Sequence, residues 1–289
     1  MMQTDGPSYE LGVLSAEQRR AIEDDGVVIL PPNAAVVREL PALRAAVDRL
    51  LEEEGPRAGW EGKEQHFAPG KAFEDGANRL GNLVNKIPFA ADLIALPELL
   101  EAAYRALRSE MKVGSVLMRE PHKGHGHQAL HIDWLPRERS DEPFGGVVCM
   151  LLLDDASVAN GAMRYIPGTH VRLGWPDDQI DVAAPHPDER RAEAPAGSII
   201  VMNLNLWHAG ALNATGDRRR SIFVNIRRRD LPQLLNQKRY LSAETVARMT
   251  PLQQYLLAVR PEDAEQPQKS VGPGDRYREL YGVPPPQRS

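Results

Sequence analysis

From Lys112 onward the hydrophobic pattern changes period, and this change limits the folds open to the chain. Short β-type runs follow one another at Lys112–Met118, around His131, and over Gly146–Leu153, Ala162–Ile166, Ser198–Leu206 and Ser221–Ile226. Turn formers separate them, among them Asn160-Gly161, Pro167-Gly168 and Pro195-Ala196-Gly197. Their glycines reach positive φ without strain, and their prolines pre-set the corner. Short strands at such spacing bury their apolar faces by closing on one another as a sandwich or barrel.

The flanks are helical. Ser15 and Gln18 have capping-box spacing for a helix to about Asp24. Asp25-Gly26 then turns into the apolar run Val27–Leu30, which Pro31-Pro32 stops. Val36, Val37, Leu40, Leu43, Val47, Leu50 and Leu51 recur at helical spacing over 34–54. Pro97 opens another helix to Ser109, and a last one is expected over 242–259, before a Pro-rich polar tail. Gly55 to Gly81, with Trp60, His66, Phe67 and Phe73, reads as irregular structure near strand ends. The expected organisation is one domain over 1–289, helical over 1–110, β over 111–230 and helical again over 231–289.

Composition excludes several classes. A net charge of −5 gives no general pull towards nucleic acid or an anionic membrane. No apolar run approaches the ~18 residues of a membrane span, and the first ten residues show no signal pattern, so a cytoplasmic protein is expected. Cys149 is the single cysteine, which rules out an intramolecular disulfide; within an apolar run it reads as a buried, inert thiol.

Within the β region, His131-Ile132-Asp133 places an imidazole and a carboxylate two positions apart, on one face of an extended strand. His208, on a later strand, would complete a set of two histidines and one carboxylate that leaves half of an octahedron open. Three further signals accompany it: Asn160 to His170, the apolar strand from Ala196-Gly197 into Trp207-His208, and Asn213 followed by Arg218-Arg219-Arg220-Ser221.

In this order the motifs resemble those of the phytanoyl-CoA dioxygenase family of Fe(II)/2-oxoglutarate oxygenases, and Glu23–Leu30 looks like the family's opening strand. The resemblance covers roughly residues 12 to 230. It implies a mainly β fold with flanking helices, around a double-stranded β-helix (jelly-roll, cupin-like) core. It implies Fe(II) held by His131, Asp133 and His208, with 2-oxoglutarate as cosubstrate and O2 as oxidant. It also implies a basic residue about ten positions after the distal histidine that grips the far carboxylate of 2-oxoglutarate, a role that falls to Arg219. Strand parity then turns Ser221 and Phe223 to the same face and Arg218 and Arg220 outward; a slip of one residue would exchange the roles. The implied reaction is oxidation of a small organic molecule, most simply C–H hydroxylation. In related halogenases the carboxylate position is Gly or Ala, so Asp133 points away from halogenation.

Other readings stand beside this one. The same scaffold hosts epimerisation, desaturation and ring closure. A cupin-like metal enzyme without 2-oxoglutarate, and a metal-free binding jelly roll, are further alternatives. Candidate substrate contacts are Trp134, His127 and Arg119, although Trp134 equally suits the core, and His122, His125 and His127 suit an exposed Gly-rich loop. His170 reads as structural. Arg227-Arg228-Arg229 with the earlier triple could serve a phosphate-bearing thioester or be a solvated strand end. Substrate contacts are expected on loops 57–87, 119–128 and 134–144.

Overall fold

A computed structural model of the chain describes residues 10–61, 64–65 and 76–264. His66, Phe67, Phe73 and the Pro-rich tail lie outside the described residues. The strands are β1 (Val27–Leu30), β2 (Trp60–Glu61), β3 (Glu64–Gln65), β4 (Ala77–Leu80), β5 (Met111–Pro121), β6 (Gly146–Leu152), β7 (Arg164–Tyr165), β8 (Arg190–Arg191), β9 (Ile199–Asn203), β10 (His208–Ala209) and β11 (Ser221–Arg228). The helices are α1 (Ala16–Arg20), α2 (Ala34–Glu54), α3 (Leu83–Lys86), α4 (Phe89–Leu93), α5 (Pro97–Leu107), α6 (Gln237–Tyr240), α7 (Ala243–Ala247) and α8 (Pro251–Leu257).

Six strands form one antiparallel sheet in the order β1-β9-β6-β11-β5-β4, and β10-β7-β8 form a smaller one. The chain passes back and forth between the two, which is the double-stranded β-helix. Alternation along β11 separates two cores. Ile222, Val224 and Ile226 join the large cluster under the helices, whereas Phe223 packs against the cluster between the sheets, with Val148, Met150, Leu152 and Met202.

The helices cover the outer face for local reasons. Asn33 caps α2 by accepting from the amides of Ala35 and Val36, and the stripe Val36, Leu40, Leu43, Val47 and Leu50 is buried. Pro97 stands at the first position of α5, and Leu99, Leu100, Ala102, Ala103, Ala106 and Leu107 are buried. Ser15 and Gln18 form the capping box of α1, which ends at Arg20 and runs on through one wider turn to Gly26. Among the described residues, no helix is long and apolar enough to cross a membrane.

The structure departs from the sequence reading in five places. The segment of His131 and Asp133 is no regular strand but an isolated antiparallel bridge, His131 to His208. The expected 242–259 helix is two helices, because Thr250 starts a second capping box and Pro251 has no amide to continue the first. The run at 162–166 contracts to β7, and the run at 198–206 turns at Asn203, whose side chain accepts from the Asn205 amide. The stretch read as irregular contains β2, β3 and the edge strand β4.

Candidate metal centre

His131 and His208 lie side by side because their backbones exchange two hydrogen bonds, 2.9 and 3.0 Å. Asp133 is pinned by its amide, which donates to the Leu204 carbonyl at 2.8 Å. Side-chain alternation survives the loss of regular strand structure. Leu130 and Ile132 pack with Trp207 and Ala209 in a separate apolar cluster, so His131, Asp133 and His208 face the other way.

The Asp133 carboxylate sits between the imidazoles, 3.4 Å from the Nε2 of each. The three ligand atoms all lie within 4.8 Å of one another. Three ligands at about 2.1 Å on one face of an octahedron stand about 3 Å apart, so the site has the size of an ion. His131 Nδ1 bonds to the Ala129 carbonyl at 3.0 Å, and His208 Nδ1 to the Leu206 carbonyl at 2.9 Å. Donation from each Nδ1–H to a carbonyl leaves the Nε2 atoms for a metal, which takes the place of the proton that bonds to Asp133 in the metal-free site.

The electrostatics favour a cation. Desolvation opposes ionisation of Asp133, but the charge on His208 and hydrogen bonds from both imidazoles hold its carboxyl well below the usual range. Burial and the neighbouring His208 charge push His131 down. Burial also opposes charging of His208, yet Asp133 outweighs it and raises His208. One carboxylate among two imidazoles thus presents a single negative charge to the ion. The imidazoles are buried, while the Asp133 side chain is 38% exposed, so the open side of the site lies towards the carboxylate.

Arg218, Arg219 and Arg220 point in alternate directions. Arg218 forms a fork with Glu120, at 2.6 and 3.0 Å, and Arg220 forms one with Asp154, at 2.8 Å on both arms. Both also reach Asp48 on α2, which places them on the helix side. Arg219 points the opposite way, and its buried Nε and Nη2 have no hydrogen-bond partner among the described residues. Burial and the nearby Arg119 pull its pKa down to about 10, which leaves it charged at neutral pH. A Cβ on Gly126 would lie 3.2 Å from Arg219 Nη2, and one on Gly210 would lie 2.3 Å from the Gly126 carbonyl oxygen. The guanidinium therefore lies against Gly126, whose backbone packs on Gly210, two residues past His208. Ser221 is buried, and Arg119 faces it in the β5–β11 register. A half-buried guanidinium whose buried Nε and Nη2 have no partner among the described residues suits the free carboxylate of a dicarboxylate that chelates a metal at its other end.

The remaining candidates divide. Trp134 is 9% exposed within the inter-sheet core, lies against Gly145 and has Arg227 5.1 Å from its ring. His122, His125 and His127 are exposed. His170 is buried against Gly26, where a Cβ would come 2.5 Å from its Nδ1. Asn213 ties the loop leading to Arg219 by donating to the Pro121 and Asp217 carbonyls. Four of the six clustered arginines are paired with carboxylates, Arg228 with Asp230 and Arg229 with Asp263 in addition to the two above, and Arg227 is buried. They do not form an open phosphate patch. The carboxylates that restrain Arg218 and Arg220 carry no sequence motif and become visible only in three dimensions.

Known proteins resemble this chain in sequence and in fold. The family described as phytanoyl-CoA dioxygenase (PhyH) matches residues 22–221. "Dioxygenase af480" of Aspergillus fumigatus is 29% identical over 175 residues, 58% of this chain and 54% of that protein, so the chain spans about half the length of this relative. "Iron/alpha-ketoglutarate-dependent dioxygenase ausU" of Aspergillus calidoustus is 28% identical, over 83% of this chain and 80% of that protein. Among solved structures, HygX of Streptomyces hygroscopicus with nickel and 2-oxoglutarate bound superposes with a TM-score of 0.59 at 14% identity, covering 78% of this chain and 91% of HygX. This chain belongs to the phytanoyl-CoA dioxygenase family of iron- and 2-oxoglutarate-dependent oxygenases.

Proposed function

We propose that this chain is a dioxygenase that oxidises an unactivated C–H bond of a small organic molecule, most simply by hydroxylation, while 2-oxoglutarate and O2 become succinate and CO2. His131, Asp133 and His208 hold Fe(II). Arg219, with Ser221 beside it, grips the distal carboxylate of 2-oxoglutarate. The observation that carries this reading is the charged Arg219 guanidinium, whose buried Nε and Nη2 have no partner among the described residues and which lies against Gly126, itself packed on Gly210 two residues past His208. Burying such a group without a counter-ion is costly, and a carboxylate supplied by a ligand removes the cost.

The bound iron supplies the redox chemistry that couples O2 and 2-oxoglutarate to substrate oxidation. The protein supplies geometry. The Ala129 and Leu206 carbonyls fix the imidazole tautomers, the ligand set leaves one face open, and Arg219 sets how the cosubstrate lies. Asp133 occupies the place that halide would need, which favours oxygen insertion over halogenation.

The test needs no substrate. Fe(II) and then 2-oxoglutarate are added to anaerobic protein, and the visible charge-transfer band of a chelated 2-oxo acid is followed; O2 is then admitted and succinate is measured. The expected result is a band that needs His208 and Arg219, followed by slow uncoupled succinate release. Iron binding without a band would replace this reading with a metal enzyme that does not use 2-oxoglutarate. No iron binding would make the chain a binding jelly roll. Once substrates are screened, the mass change separates hydroxylation (gain of one oxygen) from desaturation or ring closure (loss of two hydrogens) and from epimerisation (no change).

A further inference from the structure

Three consecutive arginines pose a problem that the local sequence does not solve. A slip of one residue moves every side chain of a strand to the opposite face, and Asp217-Arg218-Arg219-Arg220-Ser221 would present an arginine to the interior in more than one register. We propose that Glu120, Asp154 and Asp48 are positioning residues that select Arg219 as the inward arginine and thereby set the affinity for 2-oxoglutarate. This inference rests on the reading that Arg219 grips the cosubstrate.

The geometry is that of two clamps joined by a bridge. Arg220 is held to the end of β6 three ways: its amide donates to Asp154 Oδ2 at 2.9 Å, its guanidinium forks onto the same carboxylate, and its carbonyl accepts from the Leu153 amide at 2.9 Å. Arg218 forks onto Glu120 of β5, and Asn78 on β4 steadies that carboxylate by donating at 2.9 Å. Asp48 bridges the pair from α2, 2.7 Å from Arg218 and 3.1 Å from Arg220. Arg44, 3.5 Å from Asp154, completes an outer layer in which three cations meet three carboxylates. The planar guanidinium matches a carboxylate fork in direction as well as charge, so each clamp fixes orientation. With Arg218 and Arg220 tied outward on either side, the peptide units around Arg219 cannot rotate, and its side chain must enter the interior. Arg218→Glu120 and Arg220→Asp154 thus act on the inner site through the backbone of the residue between them.

The experiment compares two ligands on Ni(II)-loaded protein by calorimetry. 2-Oxoglutarate has a distal carboxylate; pyruvate offers the same keto and carboxylate oxygens without it. Glu120→Gln and Asp154→Asn are each expected to weaken 2-oxoglutarate binding about tenfold and to leave pyruvate binding within about twofold. Asp48→Asn, on a half-exposed bridge, is expected to lose a few-fold with the same selectivity, and it remains informative if a buried variant fails to fold. Arg219→Ala is run in parallel. If it loses 2-oxoglutarate selectively while the clamp variants keep wild-type affinity, the positioning role is overturned and the reading of Arg219 stands. If Arg219→Ala itself keeps 2-oxoglutarate affinity, the reading beneath fails. Equal losses for both ligands in the clamp variants indicate general damage and also overturn the positioning role.

Discussion

His131 and His208 are directly paired at the β10 edge of the smaller sheet: each donates its amide to the other's carbonyl, and their ring centroids lie 4.3 Å apart. The two histidines of the centre are therefore fixed by backbone before any metal arrives. His131→Ala and Asp133→Ala remove ligands without removing that bridge. Each should abolish metal-dependent succinate formation and leave the melting temperature of metal-free protein within a few degrees. Measurable turnover in either variant would refute the ligand set.

Arg219→Ala should raise the 2-oxoglutarate requirement about a hundredfold, the loss expected when a charged bidentate contact of roughly 3 kcal/mol disappears. Ser221→Ala should raise it only a few-fold. Initial-rate measurements of uncoupled turnover against 2-oxoglutarate concentration check both. A larger effect for Ser221 than for Arg219 would contradict the assignment.

Gly126 has φ +94°, and a Cβ there would come 2.9 Å from Pro121 Cβ and 3.2 Å from Arg219 Nη2. Gly126→Ala combines left-handed strain with crowding of the guanidinium. It should cost about 1–2 kcal/mol of stability and weaken 2-oxoglutarate binding without altering iron affinity. Separate titrations of metal and cosubstrate distinguish these effects.

At Gly145 a Cβ would lie 2.0 Å from the Trp134 ring, and Trp134 is bonded directly to Asp133. Gly145→Ala should therefore destabilise the protein by about 1–3 kcal/mol through overpacking, and loosen metal binding by displacing the neighbouring ligand. Denaturant unfolding and Fe(II) titration of the same variant test the link.

Two buried groups give opposite pH slopes. Burial, together with the charges of Arg229 and Arg227, pulls Lys112 down to about 8. Above that pH the folded chain has lost a proton that the unfolded chain keeps up to roughly 10, so this group makes stability rise with pH. Burial pushes the Cys149 thiol far up. Above roughly pH 8.5 the unfolded thiol ionises while the folded one does not, so this group makes stability fall as pH rises. Lys112→Met should remove the rising contribution and Cys149→Ala the falling one. Denaturation midpoints of both variants and the wild type between about pH 7.5 and 9.5 would show it. Parallel pH profiles for all three proteins would count against both shifts.

Short-range features were readable in the sequence because their physics is short-range. Capping at Ser15, the amphipathic stripe of α2, the arrest at Pro31-Pro32, and the i, i+2 relation of His131 and Asp133 depend on neighbours a few residues away. The parity that turns Arg219 and Ser221 together followed from strand geometry alone. Tertiary structure decided what depends on remote partners. His131 and Asp133 occupy a bridge and not a strand, because that segment pairs only where it meets His208. Trp134 enters the core because Gly145 leaves room for its ring. Glu120 and Asp154 hold Arg218 and Arg220 from 98 and 66 residues away, and Asp48 reaches Arg220 from 172 residues away, contacts that no local pattern announces. A period in the sequence shows which side chains share a face; only packing against distant charges determines which face turns inward.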